Sequence, residues 1–208
     1  GRISEILTRH EMPMLEDWLR EQLAALSARQ DLISELDLRR QSAEFLAVFT
    51  PACRAGNLTD LTASEWKPVL DFLASVSRSR ALQGFSPSET ATFIFSLKQP
   101  LFARLRQELG ADATALAEEM WTATVLLDKL GLYTTEVFQK AREEVIKRQQ
   151  AEMLELSTPV VKLWDGVIAV PLIGTLDSAR TQVVMETLLQ SIVDTGSSMA
   201  ILDITGVP

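Results

Sequence analysis

The chain has one cysteine, Cys53, one histidine, His10, and one tyrosine, Tyr133. A lone cysteine excludes a disulfide framework within the chain, and a reducing compartment suits it. One histidine and one cysteine cannot build an ordinary zinc site. A catalytic serine–histidine dyad would have to use His10, and no serine has nucleophile-elbow context. Gly174 and Gly206 stand isolated, so no glycine-rich loop cradles phosphate. No apolar run approaches the ~20 residues that span a bilayer. The opening Gly1-Arg2-Ile3-Ser4-Glu5 has no signal-peptide layout. A cytoplasmic protein without a membrane partner is therefore expected. Basic charge is also short: 20 Lys and Arg face 28 Asp and Glu, for a net charge of -8. Such a chain repels phosphate backbones, so nucleic acid is not an expected partner.

Apolar residues are plentiful, at 47%, which supports a real core in one or two domains. To about residue 157 their period is helical. Leu15, Trp18, Leu19 and Leu23 form one stripe, and Phe45, Leu46 and Phe49 another. Pro13 belongs in the first turn of the helix carrying Trp18. A second helix is expected from about Leu32 to Cys53, followed by a loop over Asn57 to Thr62. Thr62-Ala63-Ser64-Glu65 has capping-box spacing and predicts a third helix ending near Ser79. Ser86-Pro87-Ser88-Glu89 is a stronger start signal of the same kind, with proline at the first helical position. The helix beyond it carries Phe93, Phe95, Leu97, Leu101 and Leu105, should kink at Pro100, and should stop at Gly110. Another is expected from Ala113 to Leu130, with Gly131 marking its end or a bend.

From Tyr133 to Leu156 the chain is mostly charged, with a sparse stripe of Val137, Phe138, Ala141 and Val145. That pattern suits a linker helix packed on a second copy, or a terminal helix folded back on its own bundle. Ser157-Thr158-Pro159 ends it. The period then changes. Val160–Leu163 and Val167–Leu172 are β-branched runs about an Asp165-Gly166 turn. Asp177 or Ser178 caps a helix to about Val193, with Val183, Val184, Leu188, Leu189 and Ile192 inward and Gly196 as its stop. Met199 to Ile204 reads as a buried strand.

Two stretches here carry a family likeness: Pro171-Leu172-Ile173-Gly174-Thr175-Leu176-Asp177-Ser178-Ala179-Arg180, and Ile201-Leu202-Asp203-Ile204-Thr205-Gly206-Val207-Pro208. In this strand–strand–helix–strand order they resemble a STAS domain, and more closely the RsbR-type stressosome proteins. The helix order, the Gly84-Phe85-Ser86-Pro87 stretch and the linker helix resemble the sensor domain of that family. The resemblance implies a mainly α N-terminal bundle, globin-like or related, then a long linker helix and a partial α/β STAS domain. The expected divisions are 1–132, 133–158 and 159–208.

The resemblance also implies a sensor and scaffold subunit that is a phosphorylation substrate and not an enzyme. It implies a homodimer through the helical domain and linker helix. The other implied partners are a STAS-only scaffold protein and a switch-type serine/threonine kinase. One family phosphosite falls on Ser178; a second lies beyond Pro208, and Thr205 is not that site. Ser178 or Asp177 can equally be a simple N-cap. Three strands and one helix are expected to leave an apolar face and a strand edge uncovered.

No cofactor is expected. A haem would need an axial ligand well inside the bundle, and His10 lies in the first helical turns. Cys53 and Tyr133 are poor substitutes. Glu118-Glu119 and Glu143-Glu144 read as solvated faces. Trp18, Trp66, Phe93, Phe95 and Trp121 suit core packing, or a pocket for a small molecule controlling the STAS module. That second role is the alternative function.

Overall fold

In the computed structural model the described residues are 2–26, 29, 31–55, 57–156 and 159–207. The elements run α1 (Arg2–Arg9), α2 (Glu11–Ala25), α3 (Glu35–Arg54), a 3₁₀ turn (Ser64–Trp66), α4 (Lys67–Gln83), α5 (Pro87–Phe95), α6 (Lys98–Leu109) and α7 (Ala113–Leu156). β1 (Val161–Trp164), β2 (Val167–Ile173), α8 (Ser178–Thr195) and β3 (Met199–Gly206) follow. The chain divides into two compact units, Gly1–Arg142 and Glu143–Pro208. Its architecture is a helical N-terminal domain and a partial STAS-like α/β domain, as the resemblance implied. Among the described residues, no helix is long and apolar enough to cross a membrane.

The helical unit is built on aromatic packing. Phe45 lies at the centre, 5.5 Å from Trp18, 5.0 Å from Phe49 and 5.8 Å from Phe93, ring centre to ring centre. Edge-on and offset contacts of this kind add to the burial energy of each ring. Both buried indoles find acceptors. Trp18 Nε1 donates to Phe93 O at 3.1 Å and Ser96 Oγ at 3.0 Å, and Trp66 Nε1 donates to Asn57 O at 2.7 Å. Of the aromatics that suggested a pocket, Trp18, Trp66 and Phe93 are buried in this core, whereas Trp121 is 71% exposed.

Several helix boundaries differ from the expected ones for identifiable reasons. α3 starts at Glu35, because Ser34 is its cap and accepts from the Asp37 amide. The Thr62 capping box does not form: the Thr62 hydroxyl donates to Asp60 Oδ1 at 2.6 Å, and the chain enters α4 through the 3₁₀ turn. α4 runs past Ser79 to Gln83 and ends where Gly84 takes φ +94°, a conformation that a side chain resists. The Ser86 box forms in full. Pro100 does more than kink a helix. It lies in the first turn of α6, after a break at Ser96-Leu97 that leaves α5 and α6 separate. A proline there offers no N–H and crowds the carbonyl one turn earlier.

Gly131 neither ends nor caps a helix, since α7 passes through it unbroken for 44 residues. A Cβ at this position would lie 2.5 Å from Cζ of Phe95, so glycine is there for close approach of a ring. Of the sparse stripe on α7, Phe138 and Ala141 pack within the helical unit, in a cluster with Leu19, Leu26, Leu38, Ala81 and Phe85. Farther along, Ile146 and Met153 are exposed. The expected stop at Ser157-Thr158 falls on residues outside those described.

The second unit is a three-stranded sheet in the order β1-β2-β3, antiparallel then parallel. β1 and β2 are joined by the Asp165-Gly166 turn as expected. β2 alternates, with Ile168, Val170 and Leu172 buried against Val184 and Leu188 of α8. Pro171 has no N–H to give a ladder, and the register with β3 shifts between it and Ile173. Leu189 points outward, and only one stripe of α8 is buried. β3 forms where expected but is not buried: Ile201, Leu202 and Ile204 are exposed. β3 pairs on one side only, so its free edge and outer face have no covering element among the described residues.

Candidate functional site

The C-terminal ends of the parallel strands β2 and β3 lie side by side. The Gly174 amide donates to Gly206 O at 2.8 Å, tying the end of one strand to the end of the other. Gly174 has φ +82°, so the chain can turn sharply out of β2. At Gly206 a Cβ would meet Leu172 O at 2.7 Å, which makes this a close backbone crossing. Ligand and partner sites of open α/β sheets gather at such strand ends.

From there Thr175 and Leu176 lead to Asp177, which is the N-cap of α8. Its Oδ1 accepts from the Arg180 amide at 2.8 Å, and its backbone carbonyl accepts from the Thr181 amide at 2.9 Å. The cap falls on Asp177, so the Ser178 hydroxyl is left out of the capping bonds at the first helical position. Ser178 is exposed and makes no side-chain hydrogen bond among the described residues. A phosphoryl group here would meet the positive end of an 18-residue helix. The neighbouring Asp177 carboxylate would oppose it.

Arg180 braces the loop from within. Its Nη1 donates to Thr175 O at 2.9 Å and its Nη2 to Ile173 O, so one guanidinium spans the segment between β2 and Ser178. Arg180 Nε is buried without a partner among the described residues. This bracing role was missed from sequence, where Arg180 is simply the last residue of the family stretch. The only local signal was a fork-shaped donor placed one turn into a helix after a glycine turn. Thr205 is differently placed. Its hydroxyl donates to Asp203 Oδ1 at 2.6 Å, and that bond holds the Asp203 carboxyl below the usual carboxylate range.

In the helical unit, His10 lies between α1 and α2, with Nε2 2.8 Å from Glu108 Oε1, and Arg9 pairs with the same carboxylate. Cys53 is buried in α3, and burial pushes its thiol up to about 12. Glu119 differs from the solvated face expected of it: it is half-buried, and desolvation raises its carboxyl. Among the described residues, no group of three or more His, Cys, Asp and Glu side chains is placed to hold a metal ion.

The family model described as "RsbT co-antagonist protein rsbRD N-terminal domain" matches residues 13–153. The chain is 29% identical over 133 residues to the RsbT co-antagonist protein RsbRA of Bacillus subtilis (strain 168), covering 62% of this chain and 47% of that protein. It is 22% identical over 215 residues to RsbRD of the same organism, covering 99% of this chain and 75% of that protein. The chain thus spans about half the length of the first relative and three quarters of the second. The matched residues run from the first turn of α2 into the last turns of α7, and on this match the chain belongs to the RsbT co-antagonist protein rsbRD N-terminal domain family.

Proposed function

We propose that the protein is a stressosome sensor and scaffold subunit, a co-antagonist that is phosphorylated and is not itself an enzyme. The observation that carries this reading is the exposed Ser178 hydroxyl at the first position of α8, left unused because Asp177 does the capping. The names of the two relatives support the co-antagonist role. In this reading a switch-type serine/threonine kinase phosphorylates Ser178, adding ~1.5 to 2 negative charges beside Asp177. The added charge repels acidic surface and loosens the complex that sequesters the kinase. Residues 1–132 act as sensor, 133–158 as linker helix and 159–208 as STAS module. Homodimers form through the helical domain and linker helix, assemble with a STAS-only scaffold protein, and act in the cytoplasm.

The test is phosphate incorporation by such a kinase into wild type, Ser178→Ala and Thr205→Ala. Loss in Ser178→Ala alone is expected. Incorporation undiminished in Ser178→Ala would sink the assignment. A second reading, a helical domain that binds a small molecule and controls the STAS module, is favoured by a cavity beside α7.

A further inference from the structure

Between the α4–α5 turn and α7, the helical unit holds a cavity of about 520 Å³, within the size range of small-ligand sites. Its apolar side chains are Phe85, Pro87 and Phe138, of which Pro87 is exposed and the two rings are 4% and 3% exposed. Phe85 and Phe138 are themselves buried in one cluster, so this surface is fixed by the core. Two guanidinium groups line the same cavity. Arg29 donates to Glu89 Oε1 at 2.9 Å and to Gly84 O at 3.2 Å. Arg142 makes one long bond, 3.5 Å to Ala81 O, and has no carboxylate within ion-pair distance among the described residues.

A third cation stands behind the wall. The Arg80 guanidinium lies 4.9 Å from the centre of the Phe85 ring, and the residue is only 1% exposed. Its Nε is buried with no partner among the described residues, and its other bonds are long, 3.5 Å to Glu89 O and 3.4 Å to Gln41 Oε1. Two guanidinium groups therefore line the cavity and a third lies behind the Phe85 ring, while the carboxylate paired with Arg29 is Glu89, in a chain whose net charge is -8. Uncompensated positive charge beside desolvated aromatic surface selects an anion with an apolar body. A guanidinium fork matches the planar geometry of a carboxylate.

We propose that this cavity binds an amphipathic carboxylate, its apolar body over Pro87 along the wall that Phe85 and Phe138 back, and its carboxylate on Arg142 and Arg29. The proposal rests on the reading of the helical unit as a small-molecule receptor and names the ligand class. Glu89 can share Arg29 because it also accepts from the Ser86 amide at 2.7 Å. Phe138 and Arg142 belong to α7, so occupancy acts directly on the helix that continues to Leu156.

The test is isothermal titration calorimetry of the full 208-residue chain with decanoate and with decanol, which has the same tail and no charge. Wild type should bind one decanoate per chain, and decanol at least about tenfold more weakly. Arg142→Gln should weaken decanoate by about tenfold or more, leave decanol unchanged, and melt at the wild-type temperature. Equal affinity for the two probes, or decanoate binding unaffected by Arg142→Gln, overturns the carboxylate assignment and leaves a small-molecule site standing. Saturable binding of neither probe overturns both.

Discussion

Arg180 Nη1 donates to Thr175 O at 2.9 Å, across the loop that delivers Ser178 to the start of α8. The same side chain reaches Ile173 O, so the exposed serine stands on a loop braced to its own helix. Arg180→Lys keeps the charge and removes the fork, because a single ammonium cannot reproduce two divergent bonds from a planar group. The expected result is faster hydrogen exchange at the Gly174–Leu176 amides with little change in the exchange of the β2 core. Unaltered exchange in that loop would show that Asp177 and the Gly174–Gly206 bond hold it without Arg180.

Gly131 and Phe95 offer a second test, with opposite signs in two backgrounds. A glycine inside a helix costs about 1 kcal/mol relative to alanine, so Gly131→Ala should stabilise a bare helix. Here the new Cβ would lie 2.5 Å from Phe95 Cζ. The ring is 37% exposed and can swing outward, so the conflict is limited and Gly131→Ala should destabilise by about 1 kcal/mol. In a Phe95→Ala background the same change should stabilise by about 1 kcal/mol. Urea denaturation of the four proteins measures the cycle, and the same sign in both backgrounds would refute the close-approach account.

These two sites show what could and could not be read ahead of the structure. Helices at the Ser86 box and at Trp18 were legible because caps and stripes are local patterns. So was the Asp165-Gly166 hairpin. Gly131, expected to mark a helix end or a bend, does not end the helix, and the reason for a glycine there lies 36 positions away in the sequence, in the ring of Phe95. Thr62 was misread because Asp60, two residues earlier, competes for its hydroxyl. The cavity beside α7 was invisible for the same reason. Phe85 and Phe138 share a wall only after α4 and α7 have packed, and of the aromatics that looked suited to a pocket Trp18, Trp66 and Phe93 fill the core while Trp121 is exposed. Ser178 was legible as a candidate, but whether it or Asp177 would cap α8 was not.

The capping box at Ser86 gives a prediction with a pH dependence. The Ser86 amide, together with Arg29, lowers the Glu89 carboxyl below its ordinary value of 4.5. A group with a depressed folded-state value contributes stability that is present above the unfolded value and lost as pH falls through the folded one. Wild type should therefore lose stability below about pH 4.5 faster than Glu89→Gln, which keeps a hydrogen-bonding side chain but does not titrate. Ser86→Ala should cost about 1 kcal/mol at neutral pH. Parallel pH–stability curves for wild type and Glu89→Gln would remove Glu89 from acid denaturation.

At the alkaline end the sign reverses through Cys53. Its thiol is buried in α3, and desolvation raises it from 9.0 to about 12. Below pH 9 the thiol is protonated whether the chain is folded or not, and the group does not bias folding. Above pH 9 the unfolded chain loses the proton while the folded chain keeps it. The unfolded state then binds fewer protons, and stability falls as pH rises, by at most about 1.4 kcal/mol per pH unit. Cys53→Ala removes this slope at the cost of a small cavity, so it should be less stable at pH 7 and lose less than wild type between about pH 9 and 10.5. The same burial makes native Cys53 slow to react with a soluble disulfide reagent, since the thiolate is the nucleophile. Denaturant melts of both proteins at stepped pH decide it: equal alkaline slopes, or immediate reaction of the native thiol, would mean that solvent reaches Cys53 in the folded chain.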